Sequence, residues 1–236
     1  MNRQLTNALL TLALIAAAVP ARAQTGSTQP PPRPAARIVP TDANGQPNVE
    51  QGRLEGGTYT NDYFGVSFNV PPGWVAQDAV MKQRIIDTGK EIVGRGANDK
   101  KVEGIESSLK RTHFLLSISK YDLSKPPPGF NALIMCMAER VPSAVIRTGE
   151  DYIASMVKMT EGTAAKIELN GPVRTERVGG VPFAVVDAKL TTPSAVAAQK
   201  YYVMVKDGYA FMLGYTYIDE TDAKAFADVI KSVKFK

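Results

Sequence analysis

Residues 131–138, Asn-Ala-Leu-Ile-Met-Cys-Met-Ala, constrain the fold more than any other stretch. An extended chain turns alternate side chains to opposite faces, so an apolar run without polar alternation needs cover on both sides. The segment predicts an interior strand of a sheet with a layer packed against each face. His113–Ser119, through Phe114, Leu115, Leu116 and Ile118, predicts a second such strand. Cys136 is the one cysteine among 236 residues. No internal disulfide can staple the fold, which must hold by core packing.

Other strands and helices follow from their periods. Phe64, Val66, Phe68 and Val70 alternate, as in a half-buried strand, and Pro71-Pro72-Gly73 ends it before Trp74-Val75 resumes. Asp78 predicts an N-cap for a helix carrying Val80, Met81, Ile85, Ile86 and Val93, with Gly94 and Gly96 at its end. Residues 97–111 are polar and give no clear period, and Pro126-Pro127-Pro128-Gly129 predicts a rigid turn. Glu150 or Asp151 opens a helix with Tyr152, Ile153, Met156 and Val157 on one face. A strand over Lys166–Arg177 turns at Gly179-Gly180 into Phe183–Thr191. Gln199–Lys206 pairs with Tyr209–Ile218 across Asp207-Gly208, a strong hairpin signal because both central residues tolerate positive φ. A last helix from Glu220 places Ala223, Phe226, Ala227 and Ile230 at helical spacing, and Val233–Phe235 closes the chain as a strand. The fold class is α+β, a mainly antiparallel sheet flanked by helices.

The N-terminus predicts export to the periplasm or beyond. Arg3 precedes the apolar run Leu9–Val19, Pro20 breaks it, and Ala21-Arg22-Ala23 presents small residues for cleavage after Ala23. The run is about a dozen residues, short of the roughly 20 that a spanning helix needs, so no membrane segment is expected after cleavage. Residues 24–56 read as a spacer. Gln29-Pro30-Pro31-Pro32-Arg33-Pro34 favours polyproline II, and Asp42–Pro47 is turn-rich with few large apolar groups. Residues 57–236 form the expected single domain. Of 28 basic and 23 acidic residues, the leader removes Arg3 and Arg22 and no acid. The remaining imbalance is mild and mixed in sign, as at Lys100, Lys101, Glu103, Glu106, Lys110 and Arg111, so no nucleic-acid footprint is expected.

Several short motifs resemble one family. Tyr59-Thr60-Asn61, then Phe64-Gly65-Val66-Ser67-Phe68 and Pro71-Pro72-Gly73-Trp74, resemble the opening of PsbP/Mog-like domains. Gly149–Ile153 resembles that family's central helix start, and Val178–Phe183 its Gly-Gly hairpin. Gln199–Tyr202 with Asp207–Ala210 resembles its late hairpin, and Phe226–Phe235 its closing helix and strand. The resemblance covers about residues 57–236 and implies an α-β-α sandwich. It also implies binding work rather than catalysis, as in PsbP beside photosystem II and Mog proteins on the GTPase Ran.

The reactive side chains predict little chemistry. Cys136 lies within an apolar run, where burial makes a thiol inert. His113, the only histidine, has no acid or second histidine nearby in sequence. Asp219, Glu220 and Asp222 fit the start of a helix, where acids cap and meet the dipole. No catalytic residue, metal or cofactor is expected. Trp74 is either a core plug on its turn or a partner contact. Alternation puts Tyr209, Tyr215 and Tyr217 on one face and separates Tyr201 from Tyr202. Those turned to solvent would form an aromatic patch of the kind enriched at interfaces. The candidate partner contacts are therefore Trp74, Tyr201, Tyr209, Tyr215 and Tyr217. The expected role is an exported, non-catalytic binding or assembly module acting on an envelope protein or complex. A carrier holding a small apolar ligand in a closed interior pocket, and a hydrolase built on converging acids or on His113 with a carboxylate, are the alternatives.

Overall fold

The computed structural model describes residues 48–50, 52–123, 130–193 and 195–236. The residues read as leader and spacer, up to residue 47, and the turn expected at 126–129 lie outside the described residues. In chain order the elements are β1 (Gly52–Glu55), β2 (Thr58–Asn61), β3 (Val66–Asn69), β4 (Val75–Ala76), α1 (Ala79–Gly94), α2 (Asp99–Leu109), β5 (Thr112–Ser119) and β6 (Leu133–Arg140). They continue with α3 (Gly149–Thr160), β7 (Lys166–Leu169), β8 (Arg174–Val178), β9 (Val181–Thr191), β10 (Val196–Lys206), β11 (Tyr209–Tyr217), α4 (Glu220–Ser232) and β12 (Lys234–Phe235).

A large antiparallel sheet runs in the order β4-β5-β6-β11-β10-β9-β7, with β8 also paired to β9. The doubly apolar run of β6 sits at its middle. Leu133, Met135 and Met137 enter one core, and Ile134, Cys136 and Ala138 the other. On β11, Ala210 and Met212 face the first core while Phe211, Leu213 and Tyr215 face the second. Alternation along each strand thus demands two covering layers. Asp207 (φ 51°) and Gly208 (φ 79°) turn β10 into β11, with Lys206 opposite Tyr209. Two successive positive φ values are those of the tight hairpin turn whose twist suits antiparallel strands.

The first covering layer is helical. Ile85, Ile92 and Val93 of α1, Ile105 of α2, and Tyr152, Ile153 and Met156 of α3 close over that face. Thr148 caps α3 reciprocally with Asp151, which satisfies amide donors that a helix start leaves open. Gly149 lets the helix start lie directly on the sheet, because an added Cβ would collide with the Val203 carbonyl oxygen and Ala184. The second layer is mixed. A four-stranded sheet, β1-β2-β3-β12, brings Tyr59, Val66 and Phe68, and α4 brings Phe226 and Val229. The expected α+β class and antiparallel sheet are present, with a small sheet sharing the second outer layer with α4.

Three local differences have plain causes. The polar stretch 97–111 contains α2, capped by Asn98, whose side chain accepts from the Lys101 amide at 3.0 Å; Val102, Ile105 and Leu109 repeat at helical spacing. The single strand expected over Lys166–Arg177 is two, β7 and β8, both laid along the long β9. Pro172 has no amide to donate and Gly171 adopts φ 98°, so the ladder breaks there. Pairing also starts before Gly57. β1 is fully exposed, but the preceding Val49 is buried and its carbonyl accepts from Asn61 Nδ2 at 2.9 Å.

Candidate functional site

Trp74 is positioned by the Pro-Pro-Gly turn between β3 and β4. Its amide donates to the Pro71 carbonyl at 3.1 Å, and Gly73 takes φ 79°. Proline at the second position and a positive-φ glycine at the third define a type II turn, rigid at both central residues. One side of the indole packs on the second core, with its centroid 6.4 Å from that of Tyr215. The residue remains half-buried, and Trp74 lines an open surface groove of about 730 Å³. Val70, Pro71 and Pro72 extend the apolar floor. Ala225, Asp228 and Val229 of α4 make one wall, and the turn Gly56-Gly57-Thr58 the other. Hydrogen bonds tie the walls together. Val70 N donates to Gly57 O at 2.7 Å, Thr58 Oγ1 to Asn69 Oδ1 at 3.1 Å, and Asn69 N to Ser232 Oγ at 2.9 Å. Among the described residues Asp228 is the one charged member of the lining, and it pairs with Lys231 at 3.2 Å. The groove is therefore preformed, apolar at its base and weakly acidic at its rim.

The tyrosines do not form the expected patch. Tyr201 is 1% exposed in the first core, where its hydroxyl donates to Gln199 Oε1. Tyr215 is also 1% exposed, stacked between Tyr217 at 4.7 Å and Phe226 at 4.6 Å. Neither has surface to offer a partner, because both faces of the large sheet are covered. Tyr209, Tyr215 and Tyr217 do share the second core's face, as alternation requires. Tyr209 and Tyr217 remain half-buried at opposite ends of β11. Trp74 alone of the five lines the groove.

The reactive groups are dispersed. Cys136 is buried, and burial pushes its thiol well above the usual range. His113 Nδ1 meets Glu50 Oε1 at 2.9 Å, a pair separated by 63 residues and so invisible in linear sequence. Glu50 also lines a second open groove, of about 510 Å³, between α1 and α2, with Asp87 and Glu106. This comes nearest to the histidine–carboxylate arrangement a hydrolase needs. Each acid is already held: Glu106 by Lys90 Nζ at 2.7 Å, which lowers its carboxyl below the usual range, and Asp87 by Gln83 Nε2 at 2.9 Å. The lining hydroxyl, Thr112 Oγ1, donates to the Ser108 carbonyl at 3.0 Å rather than to the imidazole. A nucleophile aligned with its base is not assembled among these lining residues. Asp219 caps α4 by accepting from Asp222 N at 2.8 Å, and Asp222 is buried against Lys120 at 2.8 Å. Among the described residues no three potential metal ligands cluster.

One buried acid was not singled out from sequence. Glu139 ends the apolar run of β6 and is fully buried. It accepts from Ser108 Oγ at 2.9 Å, Tyr152 Oη at 3.1 Å and Arg111 Nη2 at 3.3 Å. Burial pushes its carboxyl up to about 7, against the opposite pull of those donors. The cluster joins α2, α3 and the sheet. Its only sequence signal is an acid directly following the seven apolar residues Ala132–Ala138.

No family model matches the chain, and no curated protein matches it. No described helix is long and apolar enough to cross a membrane. Among solved structures, the chain is similar to cyanobacterial PsbP from Synechocystis, with 13% identity and a TM-score of 0.45 over 79% of this chain and 99% of that one. It is similar to LpqN, involved in cell envelope biogenesis of Mycobacterium tuberculosis, with 11% identity and a TM-score of 0.40 over 72% and 83%. A protein of Bacteroides thetaiotaomicron is similar at 10% identity and a TM-score of 0.39 over 80% and 49%. A PsbP-type protein therefore stands among the structures this chain is similar to, as the motifs within residues 57–236 led one to expect.

Proposed function

We propose that the chain is an exported, non-catalytic binding or assembly module of the bacterial envelope, and that it makes contact through the Trp74 groove. The export reading rests on the leader motif at residues 1–23. The contact reading rests on one observation: a preformed surface groove of about 730 Å³ whose base is an indole held between a type II turn and α4. Aromatic side chains lose little conformational freedom on binding and supply large contact area, so a rigid, half-buried tryptophan in a concave site suits an anchor for a partner. The two sheet faces are filled by side chains such as Tyr201, Val203, Phe211 and Leu213, each 1% exposed or less. This filling favours contact at the surface over a ligand held between sheet and helices.

The test is retention of the mature chain on membranes and wall from its own source. Ala225→Arg, which fills the groove from α4, is expected to abolish retention, whereas His113→Ala, at the residue paired with Glu50 of the other groove, leaves it intact. Retention unchanged by Ala225→Arg, or turnover in a hydrolase screen that His113→Ala removes, would overturn the reading.

A further inference from the structure

The Trp74 groove has a candidate occupant within its own chain. We propose that the proline-rich segment Gln29–Pro34 docks into this groove and masks it until a partner displaces it. The inference rests on the groove being the contact surface and adds how access to it is controlled. Three observations carry it. The first is shape and chemistry. Trp74 flanked by Pro71, Pro72 and Val70 makes an aromatic-apolar trough. A polyproline segment, already extended before binding, docks in such troughs at low ordering cost. Pro30-Pro31-Pro32 supplies that segment.

The second is charge. Asp228 is the one charged residue of the groove lining among the described residues. Residues 24–41 carry Arg33 and Arg37 and no acid. Arg33 lies inside the proline run, where its guanidinium can reach the rim carboxylate while the prolines cover the indole. Asp228 is exposed and, among the described residues, is paired with Lys231 on its own helix, so a second cation can join it.

The third is reach. The described chain starts at Asn48, beside a fixed point: Val49 O holds Asn61, and Glu50 holds His113. Thirteen residues, or fourteen Cα–Cα steps, separate Pro34 from Asn48. Extended, they span roughly 45 Å, against a radius of gyration of about 16 Å for a domain of this size. The groove wall Gly56-Gly57-Thr58 begins eight residues beyond Asn48, at most roughly 26 Å away along the chain, so the groove is within range. A tether of this length holds its segment at an effective concentration on the order of 1 mM, so docking with a constant near that value fills the groove about half the time.

The chain has a single tryptophan, so Trp74 fluorescence reports the groove directly. The experiment compares the full mature chain with a full-length variant carrying Pro30→Ser, Pro31→Ser and Pro32→Ser, using acrylamide quenching. The variant is expected to be quenched about twofold more strongly or beyond, given a docking constant near the effective concentration. A synthetic Gln29–Pro34 peptide added to it restores protection. Arg33→Glu also raises quenching, and combining it with Asp228→Arg reverses the effect. Equal quenching of parent and triple-serine variant overturns masking by the tether, while loss of envelope retention by Ala225→Arg would still uphold the contact surface. Protection that grows with protein concentration alongside a rise in mass assigns the segment to a second copy and overturns the intramolecular form.

Discussion

Replacing Glu139 by glutamine should flatten the pH dependence of stability without unfolding the domain. The carboxyl is fully buried, and burial raises it from 4.5 to about 7. The unfolded chain would release that proton near 4.5. Below pH 4.5 both states are protonated, and the stabilising contribution is fully present. Between 4.5 and 7 the folded state keeps a proton the unfolded state has lost, so stability falls as pH rises. About 2.5 pH units at about 1.4 kcal/mol each give a loss of about 3 kcal/mol by pH 7. Glutamine keeps the shape, stays neutral and removes the linkage. Urea unfolding at half-unit steps from pH 4.5 to 8 measures it, provided m stays constant. The difference between parent and Glu139→Gln should favour the parent at pH 4.5 and shift by about 3 kcal/mol against it by pH 7.5. Parallel curves would refute the reasoning and place the proton elsewhere. Arg111, the cation touching the carboxylate, is the competing influence. Arg111→Leu should carry the loss on to higher pH, by withdrawing the one charge that favours ionisation.

Other expectations follow from single contacts. Gly149→Ala places a Cβ against the Val203 carbonyl and Ala184 and should cost about 2 kcal/mol in chemical denaturation; a neutral result would mean α3 can lift from the sheet. Phe226→Ala removes a ring stacked at 4.6 Å on Tyr215 and should cost about 3–5 kcal/mol, read as a lowered Tm. Cys136 should resist an aromatic disulfide reagent in the native state and react on unfolding, since its thiol is buried and its ionisation suppressed. Rapid native labelling would contradict the filled core.

Much of the fold was legible because local signals there agreed with burial. The β10–β11 hairpin followed from Asp207-Gly208, the central strand from an apolar run with no alternation, and α4 from Ala223, Phe226, Ala227 and Ile230. Where signals were weak, tertiary partners decided. α2 has few apolar residues and an internal Gly104, yet Ile105 is buried against the first core. β1, with Arg53 and Glu55, looks like spacer; it forms because β2 offers a ladder and the Tyr59 ring lies against Gly52. Alternation correctly grouped Tyr209, Tyr215 and Tyr217, but it cannot say whether a face is covered, and both faces are. Trp74 could be read as an anchor or a plug, and the structure places one side of it on the core and the other in the groove. The groove itself was out of reach, since its walls come from residues 56–58, 69–74 and 225–229. The Glu50–His113 pair was hidden for the same reason, being long-range.

Contact through the groove is the claim on which the functional account stands. A photoreactive residue at Thr58, on the groove wall, and another at exposed Lys189 on β9 can be irradiated in the intact producing cell. A discrete envelope adduct from Thr58, absent from Lys189 and lost with Ala225→Arg, is the predicted result. Adducts from Lys189 but none from Thr58 would contradict it.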